Sequence, residues 1–189
     1  MFLNVNSYVK IKHIFALTNC KSVVNIMQFN AIAPSLVETH YKVSLVLDGD
    51  SIMVQNIFSK KEKEIRLYGL DAPEIKRNRK HHEDEKKSRL AGEFLIQLGQ
   101  LSTDFVMAIM PTGTNVTLIT EDKYFYDYYR RQLAYIILPD GSCLNEILVR
   151  EGYAKTMSEY YCSNLKKYQD LNFVAMHSAK GLYAFTSNF

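Results

Sequence analysis

The stretch from Asp48 to Glu74 constrains the fold more than any other part of the chain. It opens Asp48-Gly49-Asp50-Ser51 and closes Ile65-Arg66-Leu67-Tyr68-Gly69-Leu70-Asp71-Ala72-Pro73-Glu74. Ahead of it, from Tyr41, Val43, Leu45 and Leu47 alternate with Lys42, Ser44 and Val46. A period of two marks a strand with one face in a core. Asp48-Gly49 stops that strand, Ser51 to Phe58 forms a second, Ser59 to Lys63 is a polar turn, and Glu64 to Leu70 forms a third. Three short strands on tight turns predict an antiparallel meander. Alternation places Ile65 and Leu67 on one face and Arg66 and Tyr68 on the other. A lone strand arginine is ordinarily solvated. Here acidic residues stand at the strand ends around it. Clustered carboxylate oxygens suit a hard cation such as calcium, and a guanidinium fork suits a phosphate.

Downstream, Ile75 to Arg89 carries seven basic residues against three acidic ones and no apolar residue after Ile75. It reads as an exposed loop leading into a helix, either plainly solvated or able to draw a polyanion. His81-His82 within it is a poor zinc ligand set with no cysteine nearby. Leu90, Phe94, Leu98 and Leu101, with Ala91 and Leu95, recur at helical spacing. Phe105 to Met110 reads as a strand, turned by Pro111-Thr112-Gly113. Asn115 to Thr120 and Arg131 to Leu138 predict a hairpin whose loop holds Tyr124, Phe125, Tyr126, Tyr128 and Tyr129. Leu144 to Glu151 predicts a short helix stopped by Gly152, and Ser163 to Lys180 a last helix stopped by Gly181. These elements alone give a mixed, mostly antiparallel protein.

A chain of 189 residues with 47% apolar content fits one domain with a real core. Its net charge of +3 permits a nucleic-acid partner without demanding one. Cys20, Cys143 and Cys162 make no disulfide framework. Cys143 and Cys162 could pair, but free buried thiols are the expected state. Residues 1–36 read as an N-terminal extension, either a targeting segment or a disordered one. Its apolar run, Ile14 to Leu17, is short for an export signal. No run reaches the roughly 18 apolar residues of a membrane helix.

The segments Asp48-Gly49-Asp50-Ser51 and Arg66-Leu67-Tyr68-Gly69-Leu70-Asp71-Ala72-Pro73-Glu74 resemble the signature of the staphylococcal-nuclease-like (thermonuclease) family. The resemblance continues at Asp127-Tyr128-Tyr129-Arg130-Arg131, Leu133-Ala134-Tyr135, Asn145 to Ala154, and Lys180-Gly181-Leu182-Tyr183. It covers roughly Glu38 to Tyr183 and implies a domain over residues 37–183, followed by a tail at 184–189. The implied fold class is α+β, a five-stranded OB-fold-type β-barrel with about three helices.

The resemblance also implies a calcium-dependent nuclease that cuts DNA and RNA with little sequence preference, leaves 3′-phosphate ends and acts as a monomer. Asp50 and Asp71, with the main-chain carbonyl of Ala72, correspond to the calcium ligands. Glu74 corresponds to the residue that positions or deprotonates water. Arg66 and Arg131 correspond to the phosphate-binding arginines, with Arg131 nearer the leaving oxygen. Asp48 is an outer contributor. Tyr129 and Tyr160 correspond to substrate-binding tyrosines. Tyr128 and Ser158 depart from the family pattern at neighbouring substrate positions. Relatives of this kind point to secretion or a periplasm, a compartment the N-terminal segment does not settle. Two other readings remain open: a non-catalytic barrel that binds nucleic acid or protein, and an interaction protein docking through its tyrosine-rich loop. Modules of the first kind typically lack several of the five catalytic and metal residues present here.

Overall fold

A computed structural model describes residue 29, residues 31–33 and residues 35–189. The export-signal reading and Cys20 lie outside the described residues.

Seven strands and four α-helices follow one another in the described chain. They are β1 (Ser35–Val46), β2 (Ser51–Asn56), β3 (Glu62–Leu67), β4 (Leu70–Asp71), α1 (Arg79–Ser88), α2 (Gly92–Ile109), β5 (Asn115–Glu121), β6 (Gln132–Ile137), α3 (Leu144–Arg150), β7 (Lys155–Thr156) and α4 (Leu165–His177). Five of the strands close a barrel in the order β1-β2-β3-β6-β5. The expected barrel is present. Its meander, β1-β2-β3, is antiparallel throughout, as the turn residues require. The seam is different: β3 and β6 run parallel, with Arg66 opposite Leu133.

Strand β1 begins at Ser35, ahead of the Tyr41 start that alternation suggests, and serves two neighbours. Ser35 to Lys42 pairs with β5, and Tyr41 to Val46 pairs with β2. Register shifts between Glu38 and Tyr41, and between Val43 and Leu45, let one strand bend around the barrel. Val43, Ile52, Val54, Ile65, Leu67, Leu118, Ala134 and Ile136 are fully buried and form the barrel core.

The helices account for two corrections. The stretch read as an exposed loop, Ile75 to Arg89, contains α1. This helix has no apolar stripe for a periodicity test to find. It is held by its N-cap, where the Asn78 side chain accepts a hydrogen bond from the His81 backbone N–H at 2.8 Å. The i,i+4 pairs Arg79–Glu83 (3.0 Å) and Lys80–Asp84 (3.3 Å) add to this. Phe105 to Met110, read as a strand, is the end of α2. The buried positions Leu95, Leu98, Gly99, Ser102, Thr103 and Val106 keep the helical period to that end, and six apolar residues in a row carry no period of their own. Leu101, assigned to the buried stripe, is exposed. The helix count therefore rises from about three to four.

Helices α3 and α4 pack together near the barrel, and Gly152 and Gly181 take positive φ where each chain turns away from its helix. Residues 184–189, expected as a tail, end in Phe189, buried against Tyr183 with ring centroids 5.0 Å apart. Cys143 and Cys162 are buried free thiols, and burial pushes the Cys143 thiol up to about 12. No helix among the described residues is long and apolar enough to cross a membrane.

Candidate active site

The turn between β1 and β2 positions the first acids. The Leu47 and Asp48 backbone N–H groups both donate to the Ser51 carbonyl, and the Asp48 carboxylate accepts from the Asp50 N–H at 3.0 Å. Gly49 has no room for a side chain. A Cβ there would come within 2.1 Å of the Ser102 hydroxyl and 2.7 Å of the Ala72 methyl. The glycine thus lets the acidic turn lie directly against α2 and the Asp71-Ala72 segment. Ser102 in turn donates to the Tyr153 carbonyl at 2.8 Å.

The second acidic segment is pinned just as firmly. Asp71 pairs with Lys155 in the short β4–β7 ladder. The Ala72 N–H donates to Asp50 Oδ2 at 2.8 Å, tying the two segments together. Helix α2 approaches the backbone of Pro73 and Glu74 at Gly99, where a Cβ would fall 2.6 Å from the Glu74 carbonyl.

Arg66 lies between these segments, 2% exposed. Strand alternation puts it on the face away from the barrel core, but that face is covered too. Its guanidinium pairs with Asp50 through Nη1 and with Asp71 through Nη2, the latter at 2.9 Å. The Tyr160 ring closes over it, 4.3 Å from the guanidinium carbon. Tyr160 is fixed because Gly69 N–H donates to its carbonyl at 2.6 Å. The second arginine, Arg131, immediately precedes β6. Asp127 holds it twice, accepting from its backbone N–H at 2.8 Å and from Nε at 2.7 Å. Its Nη1 reaches Ser51 Oγ at 3.2 Å, and Ser51 donates to Asp50 Oδ1 at 3.0 Å, so one hydroxyl links the two halves of the site.

Glu74 accepts from Asn78 Nδ2 at 2.8 Å and meets Lys80 Nζ at 3.0 Å. Asp50, Arg66, Glu74, Arg131, Tyr129 and Tyr160 all line one open cavity of about 560 Å³. Asp71 is buried behind Arg66 and Lys80. Tyr129 stands at the rim, 71% exposed, with its ring 5.5 Å from the Arg131 guanidinium. A second cavity of about 580 Å³ adjoins the first and shares Tyr129, Glu159 and Tyr160 with it. Tyr124, Tyr126, Tyr128 and Tyr161 line the rest of its aromatic wall.

The electrostatics follow from burying so many acids together. Burial, then the charge of Asp50, pushes the Asp48 carboxyl up to about 7. Burial also works against Asp50, but Arg66 and Lys80 outweigh it and hold that carboxyl below the usual range. At Asp71 burial prevails over Lys80 and Arg66, and the carboxyl lies above the usual range. Despite their own burial, Arg66 is held charged by Asp50 and Asp71, and Lys80 by Asp71, Asp50, Glu74 and Asp84.

Residues 64–184 match the family described as staphylococcal nuclease homologue. The chain belongs to that family. The match takes in Arg66, Asp71, Glu74, Arg131 and Tyr160, while Asp48 and Asp50 lie upstream of it. An uncharacterised endonuclease of Escherichia coli O157:H7 is 33% identical over 124 residues, 65% of this chain and 64% of that protein. Endonuclease YhcR of Bacillus subtilis (strain 168) is 30% identical over 150 residues, 78% of this chain and 11% of that protein. An uncharacterised protein of Methanocaldococcus jannaschii is 27% identical over 167 residues, 82% of this chain and 78% of that protein. The chain thus spans less than two thirds of either endonuclease.

In this staphylococcal nuclease homologue, the donors available to a metal are all oxygens. Among the described residues, no three His, Cys, Asp or Glu side chains form a ready metal cluster. The set expected here is smaller in side chains: Asp50, Asp71 and the Ala72 carbonyl. These are hard donors suited to calcium. A cation already stands among them, since Lys80 Nζ lies 3.2 Å from Asp71 Oδ1 and 3.1 Å from the Ala72 carbonyl. The oxygens therefore fit a positive ion. Lys80, Asn78, Asp127 and Ser51 are site residues that sequence reasoning assigned no role. Ser51 and Asp127 carried a usable signal, as the last residue of the Asp48-Gly49-Asp50-Ser51 segment and the first of the Asp127-x-Tyr129-x-Arg131 pattern.

Proposed function

We propose that this protein is a calcium-dependent nuclease that hydrolyses phosphodiester bonds in DNA and RNA and leaves 3′-phosphate ends. The observation that carries the reading is convergence: Arg66, Arg131, the Glu74 carboxylate and the acids Asp48 and Asp50 line one cavity beside an aromatic cleft, with Asp71 paired to Arg66 behind it. Membership of a family with endonuclease-named relatives supports it.

Asp50, Asp71 and the Ala72 carbonyl would hold the calcium. When bound, it would neutralise phosphate charge and orient the group for attack. The other tasks fall to this chain's side chains. Glu74 accepts a proton from the attacking water as its oxygen bonds to phosphorus. Arg66 forks onto the non-bridging phosphate oxygens, whose charge rises in the transition state. Arg131 stands nearer the departing 5′-oxygen and stabilises it as the phosphorus–oxygen bond breaks. Tyr129 and Tyr160 bind the nucleotide, by ring stacking or through their hydroxyls.

Wild-type protein incubated with plasmid DNA and with single-stranded RNA, in calcium, in magnesium and in chelator, tests this. Calcium should support degradation of both, chelator should stop it, and the products should carry 3′-phosphates. Equal rates in calcium and in excess chelator would remove the metal from the account. No hydrolysis in any divalent metal, with nucleic acid still bound, would favour the non-catalytic barrel.

A further inference from the structure

Lys80 occupies a position that surface lysines do not. It is the second residue of α1, and its ammonium lies within 3.3 Å of four oxygens. These are Glu74 Oε1 at 3.0 Å, the Ala72 carbonyl at 3.1 Å, Asp71 Oδ1 at 3.2 Å and Asp84 Oδ2 at 3.3 Å. An ammonium has three protons to donate. Four oxygens at nearly equal distance surround it as they would a small cation. Three of them belong to Asp71, Ala72 and Glu74, the residues read above as metal ligands and water-positioning base.

We propose that Lys80 is a tethered cation that competes with a divalent ion for this site and sets the metal concentration at which the site fills. This rests on the calcium reading above. Arg66 already shares Asp71 Oδ1 with Lys80, at 2.9 and 3.2 Å. A divalent ion on that carboxylate and on the Ala72 carbonyl would press two further charges against the ammonium, and their repulsion in a partly buried setting is large. Binding of a metal to Asp71 and Ala72 therefore requires the ammonium to leave. The helix offers it a place to go. Asp84 is one turn along α1 and already touches Lys80, so rotation of the side chain about its stem keeps one partner while releasing the others. The same movement frees Glu74, leaving it the Asn78 contact that orients it. Without a metal, Lys80 balances the buried acids. With one, the metal takes over that role, and the protein reads out divalent-ion concentration through one side chain.

The test is calcium titration by calorimetry, without nucleic acid, of wild type, Lys80→Met and Lys87→Met. Methionine keeps most of the lysine stem and removes the charge. Lys87 lines the same cavity, so Lys87→Met removes the same unit of charge without vacating the acidic oxygens. If Lys80 holds the site about nine-tenths of the time, removing it should tighten calcium binding about tenfold. Lys87→Met should change the affinity less than about threefold. Thermal unfolding adds a second reading. Lys80→Met should melt below wild type in chelator and recover more in millimolar calcium than wild type gains. Equal calcium affinity in wild type and Lys80→Met, or weaker binding in the variant, would overturn the competition while leaving the calcium reading intact. No calcium binding by either protein would overturn both.

Discussion

The two ends of the candidate site are built on opposite principles. At the acidic end the central groups are buried, paired and attached to a strand end or a pinned turn: Asp50, Arg66 and Asp71 are each 5% exposed or less. At the aromatic end the tyrosines sit on the loop between β5 and β6, and Tyr126, Tyr128 and Tyr129 are 61%, 93% and 71% exposed. The acidic end must present charge at fixed distances, so it accepts the cost of burying ions and recovers it through reciprocal pairing. On the nuclease reading, the aromatic end accommodates bases of any identity, which an exposed loop with flat rings does without fixed geometry. On that reading, chemistry is placed on the buried, paired scaffold and substrate handling on the exposed loop.

Arg66 tests this contrast most severely. The sequence alone suggests that Arg66 matters to reaction more than to folding. Its pairing with both Asp50 and Asp71 changes that expectation. Arg66→Lys keeps the charge but cannot bridge two carboxylates. Turnover should fall by at least about a hundredfold, the cost of one lost transition-state donor. Stability should also fall, toward the ~3–5 kcal/mol seen when a buried pair is broken. Denaturant unfolding beside turnover measures both. Normal turnover in a folded Arg66→Lys protein would place the phosphate clamp elsewhere.

At the aromatic end a substitution should touch binding alone. Tyr129→Ala should weaken single-stranded DNA binding by about 1–3 kcal/mol and leave the melting temperature unchanged, if the ring stacks on a base. Tyr129→Phe should then cost much less. If the hydroxyl binds phosphate instead, Phe and Ala should weaken binding alike. Fluorescence titration without divalent metal separates these outcomes, and unchanged affinity in both variants would put Tyr129 outside the substrate path.

Asp48 offers the smallest effect and a test of the buried acid cluster itself. Its carboxyl is pushed up to about 7 by burial and by Asp50. The neutral form is thus favoured by folding. The stability it contributes is complete below about pH 4, where the unfolded chain is neutral too, and is lost as pH rises through about 7. Asp48→Asn keeps an oxygen for the Asp50 N–H but never charges. In chelator at pH 8 it should melt about 2–4 °C above wild type, roughly 1 kcal/mol after allowing for solvent screening at this partly open site. The gap should narrow as pH falls toward 4. A gap of constant size would show that Asp48 stays ionised throughout.

The same contrast governs what could be read from the sequence. The antiparallel meander was legible because its strands alternate and its turns carry Asp and Gly, whereas the closed barrel was implied by the resemblance of the signature segments and not by spacing. The identities of Asp50, Arg66, Asp71, Glu74 and Arg131 were legible as candidates because they stand at signature positions, and the fold brings them to one place. Helix α1 was hidden because its support is a cap and ion pairs rather than an apolar face. The end of α2 was hidden because Phe105 to Met110 is a run without a period. Arg66's burial was hidden because alternation tells which face a residue takes, and not that Tyr160 covers that face. Lys80 was hidden most completely: nothing in the sequence separates it from the other basic residues of its charged stretch. Only three-dimensional proximity to Asp71 and Glu74 marks it out.

The central claim is that Glu74 takes a proton in catalysis, and Glu74→Gln tests it most directly. Glutamine keeps the shape and can still receive the Asn78 hydrogen bond through its carbonyl oxygen, but it cannot serve as the base. Steady-state kinetics of both proteins on one oligonucleotide in calcium, with circular dichroism of each, is the measurement. The account predicts a folded variant with near-normal nucleotide affinity and kcat reduced by at least about a hundredfold. A folded Glu74→Gln protein with wild-type kcat would contradict it.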